Sequence, residues 1–163
     1  MSYLVRKINK AKWHQIDLEN DNDVSADAIT SCLRTRSNSL SVWKIGDEDD
    51  LDLAVLALVS NQDHLESIDV VILEQDALEN KYNISVVASP GVTPINSMVN
   101  DHRDLTDLRF SSLESMKDHI VERIRDNKLK RYTRGTLKEL LKDAIEDGIL
   151  KFDDLKESVR NKL

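Results

Sequence analysis

Cysteine occurs once, at Cys32, in a chain of 163 residues; proline occurs twice, glycine four times, and aromatic residues make up 4%. A single cysteine excludes a disulfide framework and a cluster of thiol metal ligands, a usage that suits a reducing compartment. So little Gly and Pro leaves the loops short and mostly rigid, and no Pro-rich linker, low-complexity tract or internal repeat is visible. No run approaches the roughly 18 apolar residues that cross a bilayer. The opening "MSYLVRKINKAKWHQ" turns polar after three apolar residues and so lacks the apolar stretch of a signal peptide. The expectation is a cytoplasmic protein without membrane contact. No nucleotide, metal or nucleophile motif is present, so neither cofactor nor metal is expected.

A third of the residues are charged and 40% are hydrophobic, a balance typical of a folded protein. The net charge of −7 is unevenly spread. "RIRDNKLKRYTRGTLK", Arg123 to Lys138, holds seven Lys or Arg residues against one Asp, which is +6 and leaves −13 on the other 147 residues. A body that negative repels nucleic-acid phosphates, so only a local basic face could bind them.

The first hundred residues alternate strand and helix signals. "YLVRKI" reads as a short strand, and "NSLSVWKI" alternates Leu40, Val42 and Lys44 against Ser39, Ser41 and Trp43. "SADAITSCLR" spaces Ala26, Ile29, Cys32 and Leu33 as a short helix behind an N-cap at Ser25, with a strand as the alternative. After Gly46, acidic residues open a helix carrying Leu51, Val55, Leu58 and Val59. "SIDVVILEQ" is short and β-branched, as in a central strand covered on both faces, and "NISVVASPG" is a further strand. This order predicts a small mixed sheet, partly parallel, with packed helices.

From Leu105 the pattern becomes helical. Leu105, Leu108, Leu113, Met116, Ile120, Val121 and Ile124 predict one helix of more than five turns. A hinge over 128–135 follows. The next helix is expected to open with Thr136 and Glu139 in capping-box spacing and to stop at Gly148, and a last helix to be capped by Asp153. The fold class is therefore α+β: a domain over 1–104 and a helical C-terminal extension over 105–163 packing on it.

"NDHRDL" concentrates the chemistry. His102 beside Asp104 could serve as a general base and Arg103 could clamp an anion, though no nucleophile is evident; alternatively Asp104 caps the long helix while its neighbours brace a loop. Asp17, Glu19, Asp21 and Asp23 alternate like calcium-loop ligands, but the required Gly and Glu are replaced by Asn22 and Ala28, favouring a solvated acidic loop. Asp69, Glu79 and Lys81 form only a weak nuclease-like set. His14, His64 and His119 share no metal-ligand spacing and are expected at the surface or half-buried. Cys32 is expected to pack in the core, and Trp13 and Trp43 either to pack there or to anchor a partner. In the basic run, Arg123, Arg125 and Lys128 suit the negative end of the long helix. Lys128, Lys130, Arg131, Tyr132 and Arg134 remain as a candidate partner-binding patch at the hinge.

The last 27 residues carry Leu137, Leu140, Leu141, Gly148, Ile149, Leu150, Leu155 and Leu163 in the pattern of a Leu-rich helix, an acidic-Gly-Ile-Leu turn and a second helix. This resembles the SHOCT type of short C-terminal hairpin, and the resemblance implies an oligomerisation element. A Lys-Phe pair replaces the family's usual Thr-Glu cap.

Long amphipathic helices, segregated charge and missing catalytic equipment together point to a non-enzymatic, intracellular protein-interaction protein: an acidic adaptor, inhibitor or immunity-type partner. It would dock on another protein or on itself through the C-terminal helices. The alternative is a nucleic-acid-associated module using residues 123–138, and the third reading is an enzyme centred on His102.

Overall fold

The computed structural model describes residues 2–13 and 23–163. In chain order it contains β1 (Tyr3–Ile8), α1 (Lys10–Trp13), a wide helical turn at Ala28–Cys32 and β2 (Leu40–Ile45). A 3-10 turn at Glu48–Asp50 leads into α2 (Leu51–Val59), followed by β3 (Ile68–Glu74), β4 (Ser85–Ala88) and β5 (His102–Thr106). The chain closes with α3 (Phe110–Arg125), β6 (Leu129–Tyr132), α4 (Arg134–Glu146) and α5 (Glu157–Arg160). The fold is α+β, built on one six-stranded sheet of order β4-β5-β2-β1-β3-β6.

Every neighbouring pair in that sheet is antiparallel, which corrects the expected parallel component. The crossovers that prompted the expectation do exist. β2 and β3, joined through α2, run in the same direction, but β1 lies between them and pairs antiparallel with both. A crossover dictates direction, whereas adjacency depends on which strand fills the gap.

Both faces of the sheet centre are covered, giving three layers. One face packs Val5, Trp43, Ile45, Val70 and Ile72 against α2 and α4, with Leu150, Leu155 and Val159 completing that core. The other packs Leu4, Leu40, Val42, Val71 and Leu73 against Met116, Ile120 and Val121 of α3 and the 28–33 turn. β3 is buried on both faces along most of its length, as its uninterrupted apolar run predicts. β2 keeps the expected alternation: Leu40 and Val42 enter the second core, and Trp43, on the opposite face, is buried in the first.

The division expected at 104/105 falls within β5, and β6, from the segment read as helical, completes the sheet. Both cores combine residues from before and after that point. The long helix begins at Phe110; Leu105 belongs to β5 and Leu108 is buried beside it. A left-handed Asp107 (φ 56°) makes the turn between strand and helix. The segment expected as a hinge over 128–135 instead holds β6, hydrogen-bonded to β3, and the start of α4.

Helix ends show where local chemistry is decisive. Asp47 caps the 3-10 turn before α2 by accepting the Asp49 N–H at 3.0 Å. For α4 the cap is Thr133, whose Oγ1 accepts the Thr136 N–H at 3.1 Å, three residues before the expected position. Gly148 at φ 73° ends α4 as predicted: the Ile149 N–H reaches the Ala144 carbonyl at 2.9 Å and the Gly148 N–H reaches Ile145 at 3.1 Å, a Schellman closure. The expected last helix is broken into a 3-10 turn at Phe152–Asp154 and the four-residue α5, because Leu155 is extended and buried. Asp153 therefore caps no helix.

Candidate functional site

The basic run is drawn largely into the fold. Arg123 is buried under β3, donating from Nε to the Ile72 carbonyl at 2.7 Å and from Nη1 to Glu74 at 2.6 Å. Lys128 meets Glu48 at 2.6 Å, Arg131 meets the buried Asp69 at 3.1 Å, and the Tyr132 hydroxyl donates to Asp52 at 2.6 Å. Burial and that neighbouring carboxylate raise the Tyr132 pKa, so the phenol stays protonated. Lys130 and Arg134 remain exposed, and among the described residues no hydrogen bond or ion pair engages either side chain. The five-residue patch expected at a hinge is thus a strand edge on which three members serve internal contacts.

Around "NDHRDL" the structure adds a serine that sequence reasoning missed. The 89–101 excursion between β4 and β5 returns so that Ser89 Oγ lies 2.8 Å from His102 Nδ1 and 2.6 Å from Asp104 Oδ2. Ser41 donates to the other Asp104 oxygen at 3.2 Å. A hydroxyl has one proton; the 2.6 Å bond to the carboxylate uses it, leaving the oxygen to accept from the His102 N–H. The order is carboxylate, serine, histidine, whereas nucleophile activation requires the histidine between the other two. Arg103 donates to the carbonyls of Asn100 and His102, at 2.8 and 2.7 Å. Asp104 does not cap α3; it sits in β5.

The same cluster fastens the excursion to the sheet. The His102 ring meets Trp43 edge-on at 5.1 Å, and a Cβ on Gly91 would come within 2.4 Å of the Trp43 ring, so the backbone rests directly on the indole. "SPG" shortly before a histidine was the only sequence signal for this arrangement, and it did not reveal the pairing partner.

The other candidates disperse. Asp69 also accepts the Lys10 N–H at 3.0 Å, Glu79 accepts from Gln75 at 3.2 Å, and Lys81 pairs with Glu122 at 2.7 Å. His119, expected at the surface or half-buried, is fully buried; its Nε2 accepts the Glu74 N–H at 3.1 Å, and burial lowers its pKa. Cys32 is buried, its Sγ accepting the Asn9 N–H at 3.2 Å, and Trp13 and Trp43 are both in the core. His64 is exposed. His14 and the acidic positions Asp17, Glu19 and Asp21 lie outside the described residues. Among the described residues no three His, Cys, Asp or Glu side chains converge in a metal-binding group, and no helix is long and apolar enough to cross a membrane.

The C-terminal hairpin exposes apolar surface. Leu137, Leu141, Leu150 and Leu155 of the resemblance set are buried, while Leu140 and Leu163 are partly buried. Just past Gly148, Ile149 is 41% exposed and Phe152 45%. Ile149 borders a cleft of about 450 Å³ shared with Val92, itself 79% exposed. Phe152 borders a second cleft of about 290 Å³ with Ile145 and Leu163. Both signs of charge rim this surface: Lys142 and Glu146 at one cleft, Lys151 and Asp154 at the other.

Comparison of the chain with protein-family models, curated proteins and solved structures finds no match. The SHOCT resemblance therefore rests on its eight residues, and the short, broken second helix departs from it.

Proposed function

We propose that the protein is a non-enzymatic interaction module that associates with a second copy of itself through the turn closing α4. The observation that carries this reading is the apolar surface of Val92, Ile149 and Phe152 around the Gly148 turn, with solvent over side chains that favour burial. Its rim carries both signs of charge, Lys142 and Glu146 at one cleft and Lys151 and Asp154 at the other, which suits a two-fold contact in which each patch meets its own copy. The basic edge of β6 contributes only Lys130 and Arg134, as peripheral charges that would speed encounter with an acidic body.

Light scattering during size-exclusion chromatography tests the reading. The protein should run as a dimer at micromolar concentration, and Ile149→Asp with Phe152→Asp should weaken association at least about a hundredfold, since burying two uncompensated charges costs several kcal/mol. A wild-type protein that stays monomeric at high concentration would overturn it.

A further inference from the structure

At the end of β1, away from the C-terminal patch, lies an unusual charge. Arg6 is on the same face of the strand as Leu4 and Ile8, pointing into the second core's margin. Its Nη1 donates to the Ser41 carbonyl at 2.8 Å and its Nη2 to the Cys32 carbonyl at 2.9 Å, while Nε is buried without a partner. Among the described residues no carboxylate forms an ion pair with it, in a chain holding 30 Asp and Glu residues. A half-buried guanidinium without a counter-charge is costly, and burial accordingly lowers its pKa. Other cations of this protein that enter the fold, Arg123, Lys128 and Arg131, each meet a carboxylate.

Arg6 lines a cleft of about 380 Å³ together with Lys7, Asn9, Lys12 and Ser31. Among the described residues the lining holds three cations and two neutral polar residues, and none that is acidic. Neither Lys7 nor Lys12 is held in an ion pair among the described residues. The apolar wall is aliphatic, from Ile8 and Leu58, and among the described residues no aromatic ring lines the cleft to stack a base. The volume falls in the range of small-molecule sites, about 300–1,000 Å³.

We propose that this cleft binds a small, non-aromatic phosphorylated molecule, its phosphoryl group placed between Lys7, Lys12 and Arg6 and its polar remainder against Ser31 and Asn9. The lysines act as point charges on phosphate oxygens. Arg6, tethered by two backbone carbonyls, supplies fixed positive charge from beneath. The ligand thus provides the counter-charge that the described residues do not.

Isothermal titration at constant ionic strength, with pyrophosphate and a hexose phosphate as probes and the unphosphorylated hexose as control, tests the assignment. Replacing Arg6 risks the fold, so the variants are Lys7→Glu with Lys12→Glu, and Lys7→Gln with Lys12→Gln, each checked by circular dichroism. Saturable binding of at least one phosphorylated probe, weakened about tenfold or more in both variants and unchanged in Lys130→Glu with Arg134→Glu, supports the site. No saturable binding by the wild type, undiminished binding in the Lys7 and Lys12 variants, or equal loss in the Lys130 and Arg134 variant overturns it.

Discussion

The two edges of the sheet solve one problem in opposite ways. β6 reads "LKRY", β4 reads "SVVA", and each leaves one side of its backbone without a neighbouring strand. Such an edge invites another chain to add on, and charged side chains are a common deterrent. β6 carries Lys130 and Arg131 and is tied down by ion pairs to Asp69 and Glu48. β4 carries no charge, and Val87 is 48% exposed. It is short, stops before Pro90, and is held at its end by the Ser89, His102 and Asp104 cluster. The basic run in an otherwise acidic chain is thus explained largely by the edge it protects and by the carboxylates beneath it, with little charge left for a partner.

This contrast can be broken most severely on the β6 side. Arg123→Ala removes the buried link between α3 and β3, leaving the Ile72 carbonyl without its charged donor; a loss of about 3 kcal/mol is expected in urea unfolding. Gly91→Ala attacks the β4 side by sterics, since the new Cβ meets the Trp43 ring and the His102 Cβ, at 2.4 and 2.9 Å. A loss of about 2 kcal/mol is expected by the same measurement, with the excursion displaced from the indole. The smallest change in stability should come from exchanging the edge chemistry: Lys130→Val on one edge, Val87→Lys on the other. Val87→Lys should shift stability by no more than about 0.5 kcal/mol. The β6 variant should scatter light on gentle heating where the wild type stays clear, and Val87→Lys should not; equal scattering from both would remove the contrast.

What was legible in the sequence was local. The α2 stripe, the buried run of β3 and the glycine that ends α4 are each specified by near neighbours: a cap, a periodicity, a left-handed residue. β6 was read as a hinge because four residues carry too little alternation to signal a strand, and its strand character comes from pairing with β3 more than fifty residues earlier. β5 was absorbed into the following helix for a related reason: Leu105 and Leu108 fit helical spacing, and only the partners β2 and β4 hold that segment extended. The site residues follow the same division. His102 and Asp104 stood out together, but Ser89, which sets the order of the cluster, lies across a thirteen-residue excursion.

The sequence alone determined that this chain folds, that its charge is segregated, and where most of its helices and its central strand lie, because those properties depend on composition and short-range periodicity. Only the tertiary structure decided which strands are neighbours, which cations find carboxylates and which, like Arg6, find none among the described residues. Those outcomes depend on contacts between distant residues, and no local pattern encodes the side on which a returning segment will pair.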